Sequence, residues 1–460
     1  MITRRSLLRS CAAFALGATA SSALAGTPAP SLLKQLVGGL AAVPAQGRAL
    51  DEATRAARIT WLQANSAPIR SIDPADADFS DLEALAQAVG DARIVMLGEQ
   101  THGDGATFLA KCRLVHFLHE RMGFDVLAFE SGFYDVWKAW QAVRAGQDVH
   151  VAARHAIFGI WSLSQEAKPV FDYVGANARS ARPLELAGFD CQFQRGTDTF
   201  AHEFLLADLK AFFAANGIDT ASLLDWQRFK RVFNRLVADS NQYTWKPPLD
   251  DQRFVLDALD LLRERIRTTQ GVGVSFWHQL LKSMKSQAQC HFQVDPRTFA
   301  EMSRRDMQMG ENIVWLAREA YPRRKIIVWA ATFHNARNLN LINPEARDLV
   351  TMGHVAWQAL GSEICNVGFT SYEGASAFAG RTPTSLPVPP AGSLEDLWAG
   401  TSHQLAFLDL RKLAPGGEWL RESCLSLILG HDSEATPAVL PQILDAVVFI
   451  RTMRPSTAVV

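Results

Sequence analysis

The run Ala92-Arg93-Ile94-Val95-Met96-Leu97-Gly98-Glu99-Gln100-Thr101-His102-Gly103 decides the architecture, because it passes from an apolar strand into a polar turn. Ile94 to Leu97 are apolar and β-prone, and beyond the turn Phe108, Cys112, Val115, Leu118 and Met122 recur at helical spacing. A second apolar run, Asp125-Val126-Leu127-Ala128-Phe129, follows at once and ends on Glu130. Strand, helix and strand over this length predict a βαβ unit with parallel strands and a right-handed crossover. Parallel strands bring their carboxyl ends to one edge, where open α/β sheets bind ligands. Glu99, His102 and Glu130 are therefore expected to share one crevice.

Working outward, strand signals recur at 184–187, at Lys325–Trp329, and at 364–369, 405–408 and 446–450. Helical patterns alternate with the earlier ones, which predicts an α/β fold with a mostly parallel sheet flanked by helices. Between 199 and 309 the character changes, with helical patterns over 203–214, 224–239 and 251–268 and few strand signals. This stretch is expected to be a helical insertion in a discontinuous catalytic domain made of 81–198 and 310–460. Residues 26–80 form an N-terminal arm with a helical patch over 50–62. The Pro-rich stretches 382–390 and 434–441 are expected to be surface excursions.

A chain of 460 residues is long for one core and points to two or three subdomains. Lys plus Arg number 46 against 47 Asp plus Glu, so no basic field invites nucleic acid and no acidic tail invites a cationic partner. The 12 Trp supply large apolar surfaces for a core or pocket, and small molecules are the expected partners. Residues 1–25 carry Thr3-Arg4-Arg5-Ser6-Leu7-Leu8, a mildly apolar stretch and Ala23-Leu24-Ala25. That is the pattern of a twin-arginine signal peptide, which predicts export to a periplasm. No later stretch reaches about 18 unbroken apolar residues, so no membrane association is expected after leader removal. Cys11 would leave with the leader; Cys112, Cys191, Cys290, Cys365 and Cys424 remain, with no C-x-x-C pair and at least one free thiol. Structural zinc is not expected, and oligomeric state is left open.

The GEQTHG turn at 98–103, the helix carrying Lys111 and Arg113, and Leu127-Ala128-Phe129-Glu130-Ser131-Gly132-Phe133 together resemble the erythromycin esterase family. Further landmarks follow in the same order: Gly188-Phe189-Asp190, Arg305-Asp306-x-x-Met309-x-x-Asn312, Val328-Trp329-Ala330 leading to His334, and Met352-Gly353-His354. The resemblance implies a hydrolase that opens a macrolide or other lactone ester by direct attack of water. It implies that His102 takes the proton from that water while Glu99 and Glu130 orient the pair. Carboxylates beside an imidazole fix its tautomer, which suits a general base. Lys111, at a position where the family carries a basic residue, either stabilises the developing oxyanion or is a snorkelling surface lysine. Arg113 is a second candidate for that charge, with a substrate-binding role. Asp190 is either a substrate ligand or a turn and cap residue, and Arg305 and Asp306 are expected to pair with each other. His334 is the fourth candidate at the sheet edge. The family has a His-Asn-Ala-His run there, and this chain reads Ala331-Thr332-Phe333-His334, keeping the second histidine only.

Rival chemistries find little support, since no G-x-S-x-G, H-E-x-x-H or Walker A pattern occurs, and no G-x-G-x-x-G follows a strand. The resemblance implies no cofactor. An alternative gives Glu99, His102, Glu130 and His334 a divalent metal, zinc or manganese, that would generate hydroxide. Another makes the chain a non-catalytic periplasmic protein that binds a small hydrophobic molecule between sheet and helical insertion.

Overall fold

The computed structural model describes residues 50–459 apart from 241, 294–297, 343–347 and 431–434, so the expected leader lies outside the described residues. The strands are β1 (Ala67–Pro68), β2 (Ile94–Leu97), β3 (Phe124–Gly132), β4 (Glu185–Asp190), β5 (Lys325–Trp329), β6 (Ile364–Ser376), β7 (Thr384–Ser385), β8 (Leu405–Asp409), β9 (Cys424–Ser426), β10 (Thr436–Ala438) and β11 (Ala446–Met453). Among the described residues nine of them make one sheet in the order β1-β8-β11-β6-β2-β5-β3-β4, with β7 on the outer end of β6. Strands β11 through β4 run parallel, while β8, β1 and β7 are joined antiparallel. The fold is α/β, as the alternation of patterns predicts.

The four residues of β2 are all fully buried, the mark of a parallel strand covered on both faces. Alternation along β11 shows the two faces directly. Ala446, Val448 and Ile450 join the larger apolar cluster, and Val447 and Phe449 join a second one with Trp398 and Leu408. Helices Leu206–Ala215, Trp226–Ala238, Leu249–Arg267, Val274–Phe292 and Arg304–Trp315 fill the stretch before β5. Helix Trp226–Ala238 buries Trp226, Phe229, Val232, Phe233, Leu236 and Val237, one stripe at helical spacing. Its apolar face and those of its neighbours belong to the same continuous cluster as the sheet, so this stretch has no separate core.

Connectivity places the site. The link from β2 to β3 passes β5 in one direction and carries helix Gly105–Met122. The link from β5 to β6 passes β2 in the other direction and carries helix Met352–Leu360. Right-handed crossovers in opposite directions send their helices to opposite faces, which opens a crevice between the carboxyl ends of β2 and β5.

Two expectations need correction. Strand β3 runs on to Gly132, so Glu130 lies inside the strand rather than at its end. The stretch expected as a second surface excursion instead pairs as β10 with β9 and buries Thr436, Ala438 and Leu440. The apolar residues between its prolines explain why. Among the described residues no helix is long and apolar enough to cross a membrane.

Candidate active site

Two glycines bound the polar turn after β2 because other backbone crowds them. A Cβ at Gly98 would run into Thr332, and one at Gly103 would stand 2.6 Å from Ser376 Oγ and 2.9 Å from Ala377 N. Between them Thr101 donates its N–H and hydroxyl to the Asp104 carboxylate at 3.0 and 2.9 Å, which closes the turn. Glu99 and His102 are thereby brought together: His102 Nδ1 lies 2.6 Å from Glu99 Oε1. The fully buried Trp161 donates its indole N–H to the same oxygen at 3.1 Å and meets the His102 ring edge to face at 5.1 Å. Lys111, also fully buried, donates to Glu99 Oε2 at 2.6 Å and to the Ala330 carbonyl at 3.4 Å, over the ring of Trp329 at 4.3 Å. Burial pushes the Lys111 ammonium below its ordinary pKa, with the Glu99 carboxylate opposing.

A second cluster stands beside the first. Arg305, at the start of helix Arg304–Trp315, reaches Asp190 Oδ2 at 2.5 Å and Glu130 Oε1 at 2.8 Å. Glu130 Oε2 accepts the Ala331 N–H at 3.1 Å. His334 Nδ1 lies 2.7 Å from Asp306 Oδ1, while its Nε2 faces Arg305 Nη1 at 3.3 Å and Glu130 Oε1 at 3.4 Å. Burial alone would raise the Glu130 pKa, but His334, Arg305 and His102 outweigh it and hold the carboxyl at about 2. Burial alone would lower His334, but Asp306 and Glu130 outweigh it, so its pKa is raised. Asp190, where burial is the larger influence and Arg305 only partly offsets it, is raised.

His102 lines a cavity of about 390 Å³ together with Ala331, Phe333, Phe378 and Leu429. The structure thus brings Glu99, His102, Glu130, Lys111 and His334 to one sheet edge, in different roles. Lys111 is neither a surface lysine nor a cavity residue, because its ammonium is committed to Glu99. Arg113 must be removed from the site. It is buried, grips Asp81 through two hydrogen bonds of 2.7 and 2.8 Å, and donates to the carbonyls of Ser71, Asp76 and Asp78. It staples the segment before the sheet. Asp190 is likewise fully buried and holds Arg305 and the Gln192 N–H rather than a ligand. Arg305 and Asp306 do not form the expected pair: they are adjacent on one helix, and each is drawn to a different partner. Asn312 anchors that helix by donating to the Phe189 carbonyl at 2.8 Å. His354, from the last landmark motif, takes the Asn338 N–H at 3.4 Å away from the cavity.

Two contributors carry no local sequence signal. Trp161 comes from a short helix between β3 and β4, and nothing near it separates it from the other tryptophans. The chain end is the other: Ser456 donates its N–H to the Gly103 carbonyl at 2.9 Å, and Ala106 donates to the Arg454 carbonyl at 3.2 Å. Beyond it Thr457 is tied to Glu166, so the last residues clamp the His102 turn from outside. Among the described residues no group of three or more His, Cys, Asp or Glu side chains is disposed to hold a metal ion. The acidic residues are instead neutralised by Lys111 and Arg305.

The fold thus sets an imidazole–carboxylate pair at the switch point of a mostly parallel sheet, where α/β proteins bind ligands. The chain matches the erythromycin esterase family over residues 119–453, and it belongs to that family. The matched span begins after the 98–103 turn and Lys111. The chain is 27% identical to the putative hydrolase YbfO of Bacillus subtilis (strain 168) over 428 residues, which is 87% of this chain and 92% of that one. It is 21% identical to erythromycin esterase type II of Escherichia coli over 339 residues, covering 69% and 78% of the two chains. Among solved structures, a succinoglycan biosynthesis protein superposes with a TM-score of 0.72 at 17% identity, covering 88% of this chain and 99% of that one. A mutant of the erythromycin esterase EreC in its open conformation gives a TM-score of 0.64 at 17% identity, covering 83% and 96%. Those two likenesses establish the fold. Membership in the family implies a hydrolase acting on a small-molecule ester.

Proposed function

We propose that this protein hydrolyses carboxylic esters, lactones included, by His102-assisted attack of water. The observation that carries the proposal is His102 itself, on the wall of the cavity with Nδ1 held 2.6 Å from a buried carboxylate. Glu99 can only accept there, so Nδ1 carries the hydrogen and the proton-accepting lone pair is on Nε2. Nε2 takes a proton from water as the oxygen adds to the ester carbonyl. The tetrahedral adduct then collapses, and the imidazolium returns the proton to the departing alkoxide, leaving acid and alcohol. Trp161 and Lys111 hold Glu99 in place for this exchange and never touch the ester. Glu130, held ionised by Arg305 and His334, stabilises the imidazolium from the far side.

Lys111 and Arg305 already pair with the carboxylates a metal would need as ligands, which supports hydrolysis without one. The twin-arginine pattern at Arg4-Arg5 supports a reading in which the mature enzyme acts after export to the periplasm.

The test is incubation with a panel of macrolides and simpler lactones, scored by mass for the gain of one water, with and without a chelator. Turnover should survive chelation, and His102→Gln should lower kcat by about 10³-fold, within the span of a lost general base, while circular dichroism and melting stay as in the parent. Undiminished turnover in that variant would refute the assignment.

A further inference from the structure

A further wall of the cavity lined by His102 is built by the outer hairpin of the sheet. There Ala375 and Ser376 at the end of β6 pair with Ser385 and Thr384 of β7, and the connecting loop carries Arg381. Among the described residues that line the cavity there is one guanidinium, Arg381, and no carboxylate or ammonium. Three arginines deeper in the fold end on carboxylates: Arg305 on Asp190 and Glu130, Arg113 on Asp81, Arg337 on Asp445. Arg381 ends on none among the described residues; its backbone N–H is tied to the Phe378 carbonyl, and the residue is exposed and lines the cavity. Thr382, Thr384 and Ser385 belong to the same wall. The floor is apolar, with Phe333, Leu386 and Leu429. Glu99 and Glu130 add no counter-field, because each is almost fully buried and already paired with a cation.

An ester with an amine would place a cation beside a cation. An ester with a second, anionic group would give Arg381 the acceptor it lacks, and the planar guanidinium can bind a carboxylate through two parallel hydrogen bonds. We propose that Arg381 sets specificity, and that the preferred substrates are esters bearing a carboxylate remote from the scissile bond. This rests on the ester-hydrolase proposal above and adds the charge of the substrate to it.

The test uses three p-nitrophenyl esters of similar length: the neutral butyrate, the glutarate monoester with its free carboxylate, and an ester ending in trimethylammonium. The matching p-nitroanilides serve as non-hydrolysed ligands for calorimetry. In the parent the anionic ester should have a KM about tenfold below the neutral one and the cationic ester a KM about tenfold above it, the scale of one partly desolvated ion pair. Arg381→Gln should level the three, and Arg381→Glu should reverse their order, while kcat on the butyrate stays as in the parent. Equal KM values in the parent, or a preference that outlives Arg381→Gln, would overturn the proposal. If no ester is turned over, the hydrolase proposal fails, and the anilides still decide this one. Tighter binding of the anionic anilide that Arg381→Gln removes supports it; equal binding, or none, overturns it.

Discussion

His102 and His334 are each held through Nδ1 by a carboxylate, at 2.6 Å from Glu99 and 2.7 Å from Asp306. Beside each dyad stands one paired cation, the fully buried Lys111 on Glu99 in the first and the half-buried Arg305 on Glu130 and Asp190 in the second. The difference lies on the other side of the ring. His102 forms part of the cavity wall, whereas His334 turns Nε2 toward Arg305 and Glu130 and is 2% exposed. Under the proposed function the same dyad serves two ends: His102, on the cavity wall, is the base, and His334 fixes the charge of Glu130. A histidine–carboxylate pair does not make a base until its second nitrogen meets substrate.

The contrast can be broken most sharply by treating both rings alike. His102→Gln should cost about 10³-fold in kcat, while His334→Gln, acting only through Glu130, should cost about tenfold. Steady-state kinetics on one lactone measure both, and equal losses would erase the distinction drawn between them. Next come the two cations. Lys111→Met strands one buried carboxylate and Arg305→Met strands two, so each should lower stability by about 3–5 kcal/mol, with the arginine variant the worse. Urea denaturation of the pair gives the order.

The third comparison is one of pH. The Glu130 pKa of about 2 lies below the ordinary value of 4.5, so its contribution to stability is fully present above 4.5. It is lost as pH falls through about 2. Melting curves from pH 5 to pH 2 should therefore fall more steeply for the parent than for Glu130→Gln. The smallest effect is expected at the clamp on the His102 turn. Ending the chain after Met453 removes two backbone hydrogen bonds at Gly103 and Ala106. It should lower kcat about threefold through slight misplacement of the base and leave the His334 cluster untouched. An unchanged kcat would mean that the turn holds itself.

Much of the site was legible because it is local. Glu99 and His102 are three residues apart in one turn, and β2 and β5 are continuous apolar runs whose ends announce the sheet edge. Arg113 misled for an equally local reason. It lies two residues from Lys111 on one helix, so the two side chains leave on different sides, one toward Glu99 and the other toward Asp81. Arg305 and Asp306 misled as neighbours of opposite charge. Adjacent helical residues do not face each other, and each found a partner on a different strand or loop.

From the amino-acid order alone came the parallel α/β frame and the placing of Glu99, His102, Glu130 and His334 at one rim, because hydrophobic periodicity and turn chemistry act over a few residues; the family came from the resemblance of its short motifs, taken in order. Only the folded chain decided that Trp161 and Asp306 complete the two clusters, that the residues after Met453 clamp the His102 turn, that Lys111 is buried, and that Arg381 lines the cavity. Those are contacts across tens to hundreds of residues, selected by packing and by the need of buried charges for partners, and no local pattern encodes them.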